Sequence, residues 1–169
     1  MRNGQCFIEK KATTLQTFTE SIREKGFTQS IRVLNLEIIE SNRYISRMLE
    51  IPLASQILHL RRLRVINGKP RTIERTYICY EKVRGIEQSD FSHLSFYAEL
   101  KRLFGYVTMR SEEEGLITEP SKEERELLGC EGEVMMLKGT TYLKDLEPFE
   151  YFETIAVSDF FRFQSTQEL

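Results

Sequence analysis

The sequence predicts an α+β domain built on a central antiparallel β-sheet flanked by helices, and three observations carry that expectation. Residues 58–80 read as a β-hairpin, because Asn67-Gly68 followed by Pro70 is a turn signal between two segments rich in Ile, Val, Leu, Thr and Tyr. Residues 133–143 and 149–157 read as a second hairpin, turned through 144–148. Finally, residues 41–80 and 121–157 share one order: short helix, loop, strand, proline-containing turn, strand, offset by about eighty residues. This repeat sets Arg62 and Arg64 against Thr140 and Tyr142. A duplicated α-β-β unit folds as an antiparallel sheet with helices on one side rather than as a doubly wound sheet.

In chain order, residues 1–13 have no helical period and read as a strand remnant followed by a linker. Thr17-Phe18-Thr19-Glu20 fits a capping box, with Thr17 as N-cap and Glu20 reaching back to its amide. Leu15, Phe18 and Ile22 give this helix an apolar face, and Gly26 gives it a stop. The free N–H groups of such a helix start suit an anion, although most capping boxes do nothing except cap. Residues 30–40 have strand composition. Residues 41–49 form a short helix opened by Ser41 and Asn42 and closed before Pro52. After the hairpin, residues 95–104 form a helix in which Tyr97, Leu100 and Phe104 recur at helical spacing before Gly105. Residues 106–117 return to strand character. Residues 121–128 form a short helix with Glu123 and Glu124 at the positive end of its dipole.

At 169 residues the chain holds one domain, or one domain and a short appendage. With 40% hydrophobic residues it has the material for a core, which excludes disorder as the default. A net charge of −2 with scattered basic residues argues against the chain gripping nucleic acid by itself. Cys6, Cys79 and Cys130 show no paired spacing and suggest structural thiols in a reducing cytoplasm. His59 and His93 belong to no metal motif, so neither a metal nor a cofactor is expected. No apolar run approaches the length of a membrane span. Nucleophile elbow, P-loop and dinucleotide fingerprint are missing, and no carboxylate spacing picks out an acid–base pair, so no enzyme is expected.

What the sequence does hold is an inventory for binding an anion. Strand alternation places Leu58, Leu60, Arg62 and Arg64 on one face, with the arginines about 6–7 Å apart. Such a pair can grip a phosphate or carboxylate from two points, with Glu74 as a nearby counter-charge. The alternative is a solvated face of arginines and glutamates paired across strands. Ser95 either caps its helix or meets a ligand, and Tyr97 is either core or aims its hydroxyl into a cavity.

Four groups of residues together resemble the effector-binding (UTRA) domain of bacterial GntR-type, HutC-subfamily transcriptional regulators. They are LQTFTESIREKG at 15–26; Arg62 and Arg64 with NGKP and Ile73-Glu74-Arg75; Leu94-Ser95-Phe96-Tyr97; and Pro148-Phe149-Glu150-Tyr151. Residues 2–8 resemble the closing wing strand of a winged-helix DNA-binding domain, so 1–13 would be wing remnant and linker and 14–169 the UTRA domain. The resemblance implies a chorismate-lyase-like fold in a homodimer. It also implies a small anionic effector, often a sugar phosphate, and DNA contact only through the missing N-terminal domain. It assigns Thr17, Phe18 and Thr19 to the helix start that meets the anion, and Arg62 and Arg64 to the pocket arginines. Glu74 and Glu150 would accept hydrogen bonds from the ligand, with Ser95 and Tyr97 as pocket residues of the second helix. Near the end, Ala156 and Phe152 stand where relatives carry tyrosines, which points to a different or larger ligand. The rival readings are a dimerisation module with a vestigial pocket and a chorismate-lyase-like enzyme.

Overall fold

Asn67 and Gly68 hold left-handed backbone, with φ of 49 and 76, as the tight two-residue hairpin turn requires. The side-chain oxygen of Asn67 accepts from the Thr28 N–H at 3.0 Å and from its hydroxyl at 3.2 Å, tying this turn to the neighbouring strand. The computed structural model describes residues 6–11, 18–144, 146–166 and 168. In chain order it contains β1 (Ile8–Lys11), α1 (Phe18–Glu24), β2 (Gln29–Glu40), α2 (Arg43–Leu49), β3 (Gln56–Ile66) and β4 (Lys69–Cys79). It continues with α3 (Phe96–Phe104), β5 (Arg110–Thr118), α4 (Lys122–Leu128), β6 (Val134–Tyr142), β7 (Pro148–Val157) and β8 (Phe161–Gln164). Two 3-10 turns, Tyr80–Lys82 and Ile86–Gln88, lead from β4 towards α3.

Six strands form one antiparallel sheet in the order β2-β3-β4-β7-β6-β5. The expected repeat is present and one strand longer on each side: β2-α2-β3-β4 and β5-α4-β6-β7 meet at the central β4–β7 pair. Pro70 sits in β4 where the register slips, Arg64 facing Thr72 while Val65 faces Pro70. An irregularity of this kind is where a strand tolerates a residue without an N–H.

The helices do not share one side of the sheet, in contrast to the sequence expectation. Phe96 and Leu100 of α3 pack on Leu58, Leu60 and Ile78, and Ile22 of α1 packs with Ile66 and Leu137. On the opposite face, Leu128 of α4 packs on Leu63, Ile73 and Ile155, and Ile45 and Leu49 of α2 pack on Ile57 and Tyr151. The strands are apolar at both odd and even positions, and a sheet buried on both faces needs cover on both.

The repeat register also needs correction. Because side chains alternate, Leu137, Gly139 and Thr141 of β6 share the face of Arg62, whereas Thr140 and Tyr142 lie on the other side. A slip of one residue exchanges faces. The strand expected at 106–117 begins only at Arg110. β1 and β8 form a small parallel sheet whose Ile8 is 2% exposed and packs with Ile22, Phe160 and Phe161. α1 has seven residues, too few to be stable alone, and it is held by Ile22, which is fully buried. Among the described residues no helix is long and apolar enough to cross a membrane.

Candidate ligand-binding site

Alternation along β3 is continued across the sheet by register. One rung runs Arg62–Glu74–Thr154–Leu137, the next Leu60–Thr76–Phe152–Gly139, the next Leu58–Ile78–Glu150–Thr141. This face and the helices α1 and α3 enclose a cavity of about 760 Å³. From the sheet, Arg62, Arg64, Glu74, Glu150 and Phe152 line it; from the helical side, Phe18, Thr19, Ser95 and Tyr97 do. Every expected site residue within the described residues therefore lines this one cavity. Thr17, and with it the proposed N-cap, falls outside the described residues.

The two arginines are neither solvated nor equivalent. Arg62 is 6% exposed, Arg64 2% and Glu74 8%. Arg64 presents a fork to Glu74, Nε to Oε1 at 2.6 Å and Nη2 to Oε2 at 3.0 Å. Its Nη1 donates to Gln29 Oε1 at 2.6 Å and approaches Thr19 Oγ1 at 3.5 Å, and the guanidinium lies 5.0 Å from the Phe18 ring centre. Arg62 donates from Nη2 to Glu74 Oε2 at 3.0 Å and lies 5.8 Å from the Phe96 ring centre. A guanidinium has five N–H donors. Among the described residues Arg62 has that one hydrogen-bond partner, so most of its donors remain available on the cavity wall.

Glu74 is thus the shared counter-ion, and its Oε1 also accepts from the Thr72 hydroxyl at 3.3 Å. Burial pushes its carboxyl up, but the charges of Arg64 and Arg62 and the hydrogen bonds from Arg64 and Thr72 outweigh this and bring it to about 2. Burial lowers the Arg62 guanidinium, opposed by Glu74 and reinforced by Arg64; it remains a cation, as arginine does in proteins. From the sequence Glu74 is a counter-charge near the arginines and, by resemblance, an acceptor for the ligand. In the structure its first task is to hold two arginines in a buried sheet face.

Glu150 has a different environment. It is 1% exposed and accepts from Tyr97 Oη at 2.6 Å, Thr76 Oγ1 at 2.9 Å and Thr141 Oγ1 at 3.2 Å. Burial raises its carboxyl above the ordinary range, with these hydrogen bonds and Arg62 opposing. Burial, followed by the Glu150 charge, raises the Tyr97 hydroxyl well above its ordinary value. Ser95 caps α3, its hydroxyl accepting from the Ala98 N–H, and also lines the cavity. Thr76 and Thr141 were missed from sequence. The available signal was their strand parity with Glu74 and Glu150, which becomes visible once the register is known. Ala156 is fully buried among Ile22, Ile66 and Phe160; the frame position of the relatives' tyrosine is here a core position.

The family is decided by a domain model. The UTRA domain model matches residues 24–162. The chain belongs to the UTRA domain family. This UTRA domain is 27% identical over 158 residues to the HTH-type transcriptional repressor NagR of Bacillus subtilis, covering 92% of this chain and 65% of that protein. It is 25% identical over 153 residues to the mannosyl-D-glycerate transport/metabolism system repressor MngR of Escherichia coli, covering 88% and 62%. It therefore spans just under two thirds of the length of both. Among solved structures, the effector domain of PhnF from Mycobacterium smegmatis superposes with a TM-score of 0.86 at 18% identity, covering 96% of this chain and all of that one. A GntR-family transcriptional regulator from Bacillus cereus superposes at 0.74 with 20% identity, covering 83% and 99%. The antiparallel α+β fold expected of a GntR-type effector domain is the fold found.

Proposed function

We propose that this UTRA domain is the effector-sensing and dimerisation part of a GntR-type bacterial transcriptional regulator. It binds a small anionic metabolite, with sugar phosphates as the class suggested by resemblance, and acts in the cytoplasm. DNA is then contacted by a winged-helix domain preceding it in the full regulator. The length of the curated relatives, both of them repressors that outrun this chain, supports that architecture.

The observation that carries the reading is Arg62. A buried guanidinium with most of its donors facing an enclosed cavity is matched to a phosphate or carboxylate, which it binds through short charge-assisted hydrogen bonds. Burial of the same groups also argues for binding over turnover, because Glu74 is committed to an ion pair and Glu150 to three hydroxyl donors. Thr19 and Phe18 bring α1 against Arg64. A ligand that engages this corner better in one arrangement of α1 than in another shifts the population between them, and so biases the DNA-binding segment.

Titration calorimetry with inorganic phosphate and glucose 6-phosphate tests the reading. Binding by the native chain that Arg62→Ala weakens at least tenfold supports it. Equal affinity in both proteins, or no binding of any phosphate, overturns it.

A further inference from the structure

Resting on the anion-binding reading above, we infer that Lys10 and Glu113 form a latch across the mouth of the cavity. The pair sets how fast an effector enters and leaves, and not how tightly Arg62 holds it. The exposed residues that line the cavity lie on two sides. Glu9 and Lys11 of β1 and Arg23 of α1 stand on one; Lys101 of α3, Val107 and Glu113 of β5 stand on the other. Passage between solvent and the buried arginines runs between these two sides.

Strand alternation explains how the two side chains meet. Ile8 is buried beneath β1, and Lys10, two residues on, points the same way, while Glu9 and Lys11 turn to solvent. The acidic run on β5 divides by the same rule. Glu112 pairs with Arg110 and Glu114 with Lys138, both on the face away from the cavity. Glu113 stands opposite Gly139 on the cavity face. Lys10 Nζ donates to Glu113 Oε2 at 2.6 Å, with the two side chains 24% and 32% exposed. The Ser111 hydroxyl donates to Glu113 Oε1 at 3.2 Å and helps to hold it. A lysine on the inner face of a strand needs a counter-charge of this kind.

Among the described residues, β1 and β8 form a sheet of their own, and no strand ladder joins it to the six-stranded sheet. Side chains hold it there: Ile8 and Phe161 in an apolar cluster with Leu137, and Lys10 on Glu113 at the edge. A part-exposed ion pair stabilises only weakly, so the latch opens readily while the apolar cluster keeps β1 in place. Four strand spacings separate β5 from β3, about 19 Å in all. A small anion on Arg62 does not reach the pair, so losing the latch alters passage rather than contact.

Phosphorus NMR exchange measurements with inorganic phosphate and glucose 6-phosphate test this, because they give association and dissociation rates separately. Lys10→Met and Glu113→Gln are each expected to raise both rates about two- to fivefold. The dissociation constant is expected to change by less than about twofold. The charge-swapped double variant, Lys10→Glu with Glu113→Lys, rebuilds the pair and is expected to return both rates to the native values. A pair that acts only through its field steers the anion instead, so Glu113→Gln would speed association and Lys10→Met would slow it. That opposite response, or unchanged rates in both single variants, overturns the latch and leaves the anion site standing. A dissociation rate that rises alone, with weaker binding, makes the pair a direct ligand contact and also overturns the latch. Absence of binding by either phosphate overturns the anion site and this inference together.

Discussion

Arg62 and Glu74 face each other across the β3–β4 ladder, with Nη2 3.0 Å from Oε2 and neither residue more than 8% exposed. Arg64 forks onto the same carboxylate from the next rung. A buried ion pair adds little net stability, but removing one partner leaves an uncompensated charge in the interior. Glu74 compensates two cations at once. Glu74→Gln is therefore expected to destabilise the domain by about 3–5 kcal/mol, more than the loss of either arginine alone. Denaturant melts of the three single variants rank these effects, and a Glu74→Gln midpoint at or above that of the arginine variants contradicts the shared counter-ion.

The arginines are expected to separate in function. Arg62→Ala leaves Glu74 satisfied by the Arg64 fork and Thr72, so its main effect falls on ligand: loss of a charge-assisted contact of about 1.5–3 kcal/mol, or roughly ten- to a hundredfold in affinity. Arg64→Ala also severs the links to Gln29 on β2 and Thr19 on α1, so its main effect falls on melting temperature. Paired calorimetry and thermal melts check the split. Identical profiles for both variants would show that the two arginines share one role.

Gly139 offers a test of the cavity floor independent of any ligand. A Cβ there would stand 2.1 Å from the Glu112 carbonyl oxygen, which is backbone and cannot swing aside. A Cβ at Gly115 would meet side-chain ends instead, Leu137 at 3.2 Å and Phe163 at 4.0 Å. Gly139→Ala is expected to cost about 1–3 kcal/mol through displacement of β5 from β6, while Gly115→Ala costs less. Thermal melts that reverse this order would contradict the close approach of β5 to β6.

Much of this architecture was legible in the chain. Asn67-Gly68, Gly26, Gly105 and the duplicated helix–hairpin order carry their own local physics, and they placed the elements. Leu58, Leu60, Arg62 and Arg64 were placed on one face by parity alone. Partnership was not legible. Whether Glu74 serves the ligand or the arginines depends on Arg62 standing opposite it, and the hydroxyls on Glu150 come from β4, β6 and α3, far apart in sequence. The equation of Arg62 with Thr140 failed because a one-residue error in register, invisible in composition, reverses the face. β8 was missed because Phe161–Gln164 is only four residues long, the lower limit at which apolar–polar alternation marks a strand.

Glu74 and Glu150 lie on one sheet face yet are expected to give opposite pH dependence. Glu74 folds with its carboxyl at about 2 against an ordinary 4.5. The unfolded chain then binds the extra proton, so stability rises with pH between these values by about 3 kcal/mol and is lost as pH falls towards 2. Glu150 is raised above 4.5 by burial, so the folded chain holds the extra proton. Its contribution falls as pH rises from 4.5 through its raised value. Glu150→Gln keeps the site neutral, and its amide can still pair with the hydroxyls of Tyr97, Thr76 and Thr141, which donate or accept by rotation. Against native protein, Glu74→Gln is thus expected to lose ground progressively from pH 2 to 4.5. Glu150→Gln is expected to gain ground progressively above 4.5. Melting temperatures of the three proteins across pH 2.5–8 decide the matter: difference curves of the same sign, or a Glu150→Gln curve parallel to native, would show that folding does not shift the two carboxyls in opposite directions.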